Sequence, residues 1–221
     1  MKKLFSILFF TLFLISCSGN KPSAIVQEVT QDRDEPQIIL SLGDSLTAGY
    51  GLAPEESYPS QLEQKLSDEG YNYNIINGGV SGDTSAGLLS RAELYLDQNP
   101  DLVILVIGGN DGLRGLSTDT LEENILSIAD IFLKQDIPVV LGGMDIPINL
   151  GLNYRKKFRE VYESVTKQRD NIYRMEYFLE DVGGVAKYNQ SDRIHPTAEG
   201  YEIIVENLFA FLKDKQLISK P

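Results

Sequence analysis

The chain has 221 residues, and 42% of them are hydrophobic, so it is long and apolar enough to bury the core of one α/β domain. Thirty-two acidic residues against 20 Lys and Arg give a formal net charge of −12, which argues against nucleic acid as a partner. A single Cys and a single His exclude an intrachain disulfide and any metal site built from several Cys or His side chains. Chemistry that requires an imidazole must therefore use His195.

The N-terminus has the pattern of an export signal. Lys2 and Lys3 precede an apolar run at 4–15, which is too short for an ordinary membrane-spanning helix. The run ends in Ser16-Cys17, which resembles a bacterial lipobox and predicts lipidation of Cys17. The alternative is an ordinary signal peptide with an incidental Cys. We expect a signal peptide at 1–16, a lipidated Cys and flexible tether at 17–36 reaching roughly 25 Å, and one domain at 37–221.

The rest of the chain alternates between strand and helix patterns. The run at 102–107 is uncharged and rich in β-branched residues, whereas Leu121, Ile125 and Phe132 repeat at helical spacing. This alternation predicts an α/β fold: a three-layer α/β/α sandwich with a central parallel sheet of about five strands. The predicted strands are 37–42, 73–76, 102–107, 137–142 and 172–175, and the predicted helices are 59–69, 85–97, 118–135, 154–169 and 197–213.

Small polar residues and glycines cluster where predicted strands end and where the last helix begins. Single clusters of this kind are typical of ordinary turns. Four such clusters, three of them at the carboxyl ends of parallel strands, predict one shared pocket at that edge of the sheet. The clusters are residues 43–46, 77–84, 108–112 and 192–196.

The same four clusters carry a family resemblance. GDSL at 43–46, Gly82, GGND at 108–111 and DRIHP at 192–196 resemble, in order, the four blocks of the SGNH (GDSL) hydrolase family, over about residues 37–213. The longer strings GDSLTAGYGL, SGDTSAGLLSR and GGNDGLRG look closest to its bacterial thioesterase I, arylesterase and lysophospholipase branch. Thr47 occupies the second glycine position of a G-x-S-x-G elbow, which disfavours an α/β-hydrolase. The resemblance implies a flavodoxin-like form of the α/β/α sandwich and a serine ester hydrolase that needs no cofactor or metal.

The residues required for acyl transfer are present. A serine hydroxyl needs an adjacent base, and a histidine base needs an orienting carboxylate, so Ser45, His195 and Asp192 form the expected catalytic triad. By resemblance, the oxyanion hole consists of the backbone N–H groups of Ser45 and Gly82 and the amide of Asn110. Asp44 and Asp111 are expected to support loops by accepting backbone N–H bonds.

The sequence defines the substrate less closely than it defines the catalytic residues. Apolar residues after the fourth strand and beside the motifs are candidates for the substrate pocket, although a small satellite core is an equal alternative. They predict short to medium acyl, aryl or lysophospholipid esters, with thioesters left open. A carbohydrate O-acetylesterase and a non-enzymatic surface lipoprotein remain as alternatives. The expected partners are a small-molecule or lipid ester and, through Cys17, a membrane; no nucleic acid is expected, and the oligomeric state is not predicted. The candidate pocket residues are Tyr50, Leu113, Met144, Ile146 and Ile148.

Overall fold

The computed structural model describes residues 35–221. Five parallel strands form one sheet in the order β2-β1-β3-β4-β5. The central strand, β3, is buried along its whole length, as its uncharged β-branched sequence predicts. The strands are β1 (Gln37–Gly43), β2 (Tyr73–Gly79), β3 (Leu102–Val106), β4 (Val139–Gly142) and β5 (Ile172–Met175).

Helices connect and cover the strands in two groups. Helix α2 packs with α7, while α5 packs with both α3 and α6. The expected three-layer α/β sandwich with five parallel strands is therefore confirmed. The helices are α1 (Ser45–Ala48), α2 (Tyr58–Asp68), α3 (Ser85–Ala92), α4 (Gly109–Leu113), α5 (Thr118–Leu133), α6 (Leu152–Gln168) and α7 (Ala198–Asp214).

Two buried tyrosines connect the core to the carboxyl edge of the sheet. Tyr201 in α7 donates its hydroxyl hydrogen bond to the Leu46 carbonyl at 2.8 Å. Tyr162 in α6 donates to the Ile107 carbonyl at 2.9 Å. Both rings are almost fully buried, so the loops that follow β1 and β3 are attached to rigid helices rather than to solvent-exposed groups.

The structure differs from the sequence-based assignment of elements in several places. The predicted helix at 85–97 ends at Ala92 and continues as a 3₁₀ turn over Glu93–Gln98. The second strand extends to Gly79, three residues beyond the prediction, and the fourth begins at Val139 rather than at 137. The short helices α1 and α4 were not predicted, because four or five residues are too few to show a helical period.

The predicted signal peptide, Cys17 and all but the last two residues of the tether lie outside the described residues. Those segment boundaries stay predictions. Among residues 35–221, no helix is both long and apolar enough to cross a membrane.

Candidate active site

The turn after β1 presents Ser45 at the carboxyl edge of the sheet. Ser45 is the first residue of α1, and the Asp44 carboxylate caps this helix by accepting the Leu46 N–H at 3.0 Å. The helix ends after one turn at Gly49, whose φ of 73° is in the left-handed region. With the hydroxyl of Tyr201 bound to the Leu46 carbonyl, the serine is held in place from both sides of the turn.

The loop before α7 brings a histidine and a carboxylate to this serine. His195 Nε2 lies 2.8 Å from Ser45 Oγ, and His195 Nδ1 lies 2.7 Å from Asp192 Oδ2. The other carboxylate oxygen, Asp192 Oδ1, accepts the backbone N–H groups of Ile194 and His195. The three side chains predicted to form the triad are therefore joined by one continuous chain of hydrogen bonds.

The charge on Asp192 fixes the direction of these bonds. Partial desolvation acts to raise its pKa, but hydrogen bonds from the His195 ring and from two backbone N–H groups outweigh this effect and lower the pKa to about 2. An ionised carboxylate can only accept, so in the neutral imidazole the proton is assigned to Nδ1. Nε2 is then free to accept the hydroxyl proton of Ser45.

Two backbone donors face the same space. The N–H groups of Ser45 and Gly82 have no hydrogen-bond acceptor among residues 35–221. Gly82 has a φ of 84°, a conformation that only glycine adopts without strain, and both residues line the same cavity. The predicted oxyanion donors therefore lie around one opening, with the third supplied by α4.

Asn110 in α4 is held by the loops after β1 and β2 and by the end of its own helix. Its Nδ2 donates to the Asp83 carbonyl at 2.8 Å and lies 3.5 Å from Asp44 Oδ2. Its Oδ1 accepts from Arg114, whose Nη2 also donates to the Gly82 carbonyl at 2.9 Å. Arg114 therefore connects the Gly82 loop to the Asn110 amide, a link that no motif in the sequence indicated.

The two additional aspartates lie inside the site wall. Asp44 is 3% exposed, and its burial raises its pKa to about 6. Asp111, also buried, accepts the Ser85 N–H at 2.9 Å and the Ser85 hydroxyl at 2.6 Å. Both aspartates accept backbone N–H bonds, as the sequence analysis expected, and Asp111 ties α4 to the start of α3.

A cavity of about 590 Å³ opens beside the serine, and all five candidate pocket residues line it. Met144 and Ile146 are buried in its wall, whereas Tyr50 and Ile148 are exposed at its mouth. The Tyr50 ring also lies against the His195 ring, with a centroid distance of 4.6 Å.

Sequence reasoning missed several residues of this site. Tyr177 and Leu179, which follow β5, line the cavity, as do Arg155 and Arg193. Gln190 donates to the Tyr50 carbonyl at 2.7 Å, and its N–H donates to the His195 carbonyl at 2.8 Å, so it joins the two loops. Apart from Arg193, which is part of DRIHP at 192–196, none of these side chains lies in a recognisable block. Within residues 35–221, no group of three or more His, Cys, Asp or Glu side chains is arranged to hold a metal ion.

Comparison with known proteins agrees with this geometry. Residues 41–203 match the model of the GDSL-like lipase/acylhydrolase family. Esterase TesA of Pseudomonas aeruginosa is 39% identical over 80% of this chain and 88% of its own length. The arylesterase of Vibrio mimicus is 35% identical over 76% of this chain and 84% of its own length.

A solved structure shows the same likeness in three dimensions. The psychrotrophic esterase EstA from Pseudoalteromonas sp., in a form inhibited by monoethylphosphonate, superposes with a TM-score of 0.77. It is 30% identical, and the match covers 81% of this chain and 98% of EstA. The chain belongs to the GDSL-like lipase/acylhydrolase family and is a serine ester hydrolase of the SGNH type.

Proposed function

We propose that the protein hydrolyses carboxylic esters with short to medium acyl chains through a covalent intermediate on Ser45. The observation that carries this proposal is the hydrogen-bonded chain from Asp192 through His195 to Ser45 at the opening of a largely apolar cavity. The buried side chains of Met144 and Ile146 suit an acyl chain rather than a sugar.

The reaction follows from the direction of the hydrogen bonds. His195 Nε2 removes the Ser45 proton while Ser45 Oγ attacks the ester carbonyl carbon. The carbonyl oxygen becomes an oxyanion and is stabilised by the N–H groups of Ser45 and Gly82 and by Asn110 Nδ2. The protonated His195 then gives its proton to the leaving alcohol. Water, activated by the same imidazole, releases the acid and restores Ser45.

Asn110 must adjust during this reaction. One of its two amide hydrogens is bonded to the Asp83 carbonyl, and the other points towards Asp44 over a long 3.5 Å contact. The weaker contact is the one that a developing oxyanion can replace. A charged acceptor gives a stronger hydrogen bond than this long contact does, so the exchange favours the transition state over the resting state.

The substrate class is tested with a series of p-nitrophenyl esters from acetyl to dodecanoyl, run beside lysophosphatidylcholine, an acyl thioester and acetylated xylan. We expect the highest kcat/KM for short to medium acyl esters, because the buried side chains of Met144 and Ile146 give the cavity an apolar wall of limited extent. The Vibrio mimicus relative is an arylesterase, which agrees with an aryl leaving group. A maximum at acetyl, with good turnover of acetylated xylan, would instead support a carbohydrate O-acetylesterase.

Ser45→Ala tests the mechanism itself. The variant should fold normally and lose ester hydrolysis by several orders of magnitude, because the oxyanion donors without a nucleophile give only residual catalysis. Turnover close to that of the unaltered protein would rule out Ser45 as the nucleophile. Absence of turnover from the unaltered protein on every ester would favour the non-enzymatic alternative.

We further propose that the protein is an exported lipoprotein, acylated at Cys17 and held at a membrane. This proposal is supported by the sequence alone: Lys2 and Lys3, the apolar run at 4–15 and Ser16-Cys17. Intact-mass analysis of the membrane fraction should show loss of residues 1–16 and addition of acyl chains. In Cys17→Ala the acyl mass should be absent.

A further inference from the structure

Exposed large apolar side chains are concentrated around the mouth of the cavity. Of the ten within residues 35–221, four line the cavity and five lie within three positions of a residue that lines it. The tenth, Leu94, lies in the 3₁₀ turn after α3. We call the group of nine the apolar rim; its members are Tyr50, Val80, Leu113, Leu116, Ile148, Leu150, Leu152, Val185 and Ile194.

The apolar rim extends beyond what a substrate inside the cavity would cover. Leu152, at the start of α6, is 72% exposed and does not line the cavity. Val185 is 41% exposed and is likewise outside the lining. Single exposed apolar residues are ordinary on a protein surface, but a concentration of them around one opening marks a surface that contacts an apolar partner.

Charge around the mouth differs from that of the whole chain. The only acidic residues that line the cavity are Asp44, which is buried, and Asp145, which pairs with Arg155 at 2.6 Å. Arg193 also lines the cavity and forms no ion pair with another described residue. Among the described residues, the cavity lining therefore holds one arginine without an acidic partner, Arg193, and no carboxylate that lacks a hydrogen-bonding partner, although the chain as a whole has a net charge of −12. That combination suits phosphate headgroups above an acyl layer.

We propose that the apolar rim docks onto a lipid bilayer, so that the cavity opens towards membrane-resident esters. The inference rests on the proposed acylation of Cys17 and on the proposed esterase activity, and it adds the orientation of the domain and the source of its substrate. It predicts that single-chain amphiphilic esters enter from the lipid rather than from water.

The length of the preceding segment permits this orientation. Pro36 precedes β1 at the amino edge of the sheet, whereas the cavity lies at the carboxyl edge. The seven residues of β1 span about 23 Å at ~3.3 Å per residue. Residues 18–34 can span at most about 60 Å, so an anchor at Cys17 can reach past the sheet. Anchoring also keeps the rim close to the bilayer, so even a weak contact is populated.

Site-specific fluorescence tests the orientation directly. Cys17 is the sole cysteine of the chain, and acylation consumes its thiol, so Leu152→Cys and Leu94→Cys each supply one labelling site. The two leucines are matched, at 72% and 73% exposed. The acylated full chain, with an environment-sensitive nitrobenzoxadiazole label, is reconstituted into phosphatidylcholine and phosphatidylglycerol vesicles that contain doxyl-labelled lipid.

We expect the label at 152 to be quenched several-fold more strongly than the label at 94. Equal quenching at the two sites, whether weak or strong, would overturn the proposal. So would a label at 152 that is already protected in the unacylated Cys17→Ala protein in buffer without lipid or detergent, because a second copy of the chain would then cover the rim. Intact mass and turnover of a soluble butyrate ester are measured on the same samples, so a failure of acylation or of esterase activity is recognised separately.

A functional comparison supplies a second readout. Leu152→Ser and Val185→Ser together should lower hydrolysis of a long-chain ester embedded in vesicles by about fivefold or more. Turnover of a soluble butyrate ester should stay within about twofold, because neither side chain lines the cavity. Leu94→Ser should change neither rate. Unchanged hydrolysis of the embedded ester by the double variant would contradict docking through the rim.

Discussion

Asn110 Nδ2 lies 2.8 Å from the Asp83 carbonyl oxygen, so the loop after β2 holds an amide on the helix that follows β3. This bond orients the amide that we propose as the third oxyanion donor. Asn110→Ala should therefore lower kcat by about 10²–10³ with a small change in KM, because the amide acts mainly in the transition state. Steady-state kinetics on a butyrate ester measure both constants. Asn207→Ala, on α7, serves as the control and should behave as the unaltered protein does.

Asp192 orients His195, and replacing Asp192 by asparagine tests that role while keeping a side chain of nearly the same size. In Asp192→Asn, the amide nitrogen can donate towards His195 Nδ1 and favour the wrong tautomer of the imidazole. We expect kcat to fall by between about 10² and 10⁴, while Asp192→Ala leaves more activity if water can take the place of the carboxylate. Equal activity of Asp192→Asn and the unaltered protein would show that His195 is oriented by other contacts.

Gly82 and Gly151 have nearly the same φ, so alanine substitutions at the two positions distinguish the effect of backbone strain from an effect on catalysis. Gly82 has a φ of 84° and Gly151 has a φ of 88°, and an added Cβ would have no contact closer than 4.0 Å at either position. Alanine at either position should destabilise the protein by about 1–3 kcal/mol, because L-residues disfavour a positive φ. Only Gly82→Ala should also lower kcat, by about tenfold or more, as its N–H shifts. Similar kcat losses in both variants would attribute the effect to strain alone.

The buried carboxyl of Asp44 predicts a pH dependence of stability. Its pKa rises from 3.8 to about 6 on folding, so the native state binds more protons than the unfolded state between those values. Stability contributed by the neutral form is present below about pH 4 and lost as the pH rises through about 6. Asp44→Asn keeps an oxygen for the Leu46 N–H but does not titrate. As the pH rises over this interval, its free energy of unfolding should therefore increase by on the order of 3 kcal/mol relative to that of the unaltered protein.

Urea unfolding at pH 2, 3, 4, 5, 6 and 7 measures this difference. Asp192 should show the opposite pH dependence, because folding lowers its pKa to about 2. Its contribution to stability is lost as the pH falls from about 4 towards 2. Parallel pH profiles for Asp44→Asn and the unaltered protein would mean that Asp44 does not change its pKa on folding.

The sequence predicted those parts of the fold that depend on local pattern. The uncharged run at β3 and the apolar spacing of α5 are periodic over enough residues to be recognised, so the five strands and the longer helices were found. Helix α1 was missed because it is one turn long and is held by contacts at its ends, such as the Leu46 N–H that donates to the Asp44 carboxylate. Such a contact leaves no period in the sequence.

In the candidate site, too, the residues within sequence motifs were predicted, and those placed only by tertiary contacts were not. Ser45 and His195 are 150 positions apart, and their expected meeting came from the order of the family blocks together with the carboxyl-edge rule for parallel sheets. Tyr177 and Leu179 reach the cavity only because β5 ends beside it, and nothing in their own sequence indicates that position. The pKa of Asp44 depends on burial by neighbours distant in the chain, which a single sequence does not specify.

The most direct test of the account is mass spectrometry of the protein after reaction with a fluorophosphonate ester. The attack that acylates Ser45 would displace fluoride from phosphorus and leave a stable tetrahedral phosphonate on Oγ, and the similar esterase EstA was solved in a form inhibited by monoethylphosphonate. We predict one adduct per chain, located on the peptide that contains Ser45, together with complete loss of ester hydrolysis and no adduct in Ser45→Ala. An unmodified Ser45 peptide in fully inhibited protein, or an equal adduct in Ser45→Ala, would contradict the account.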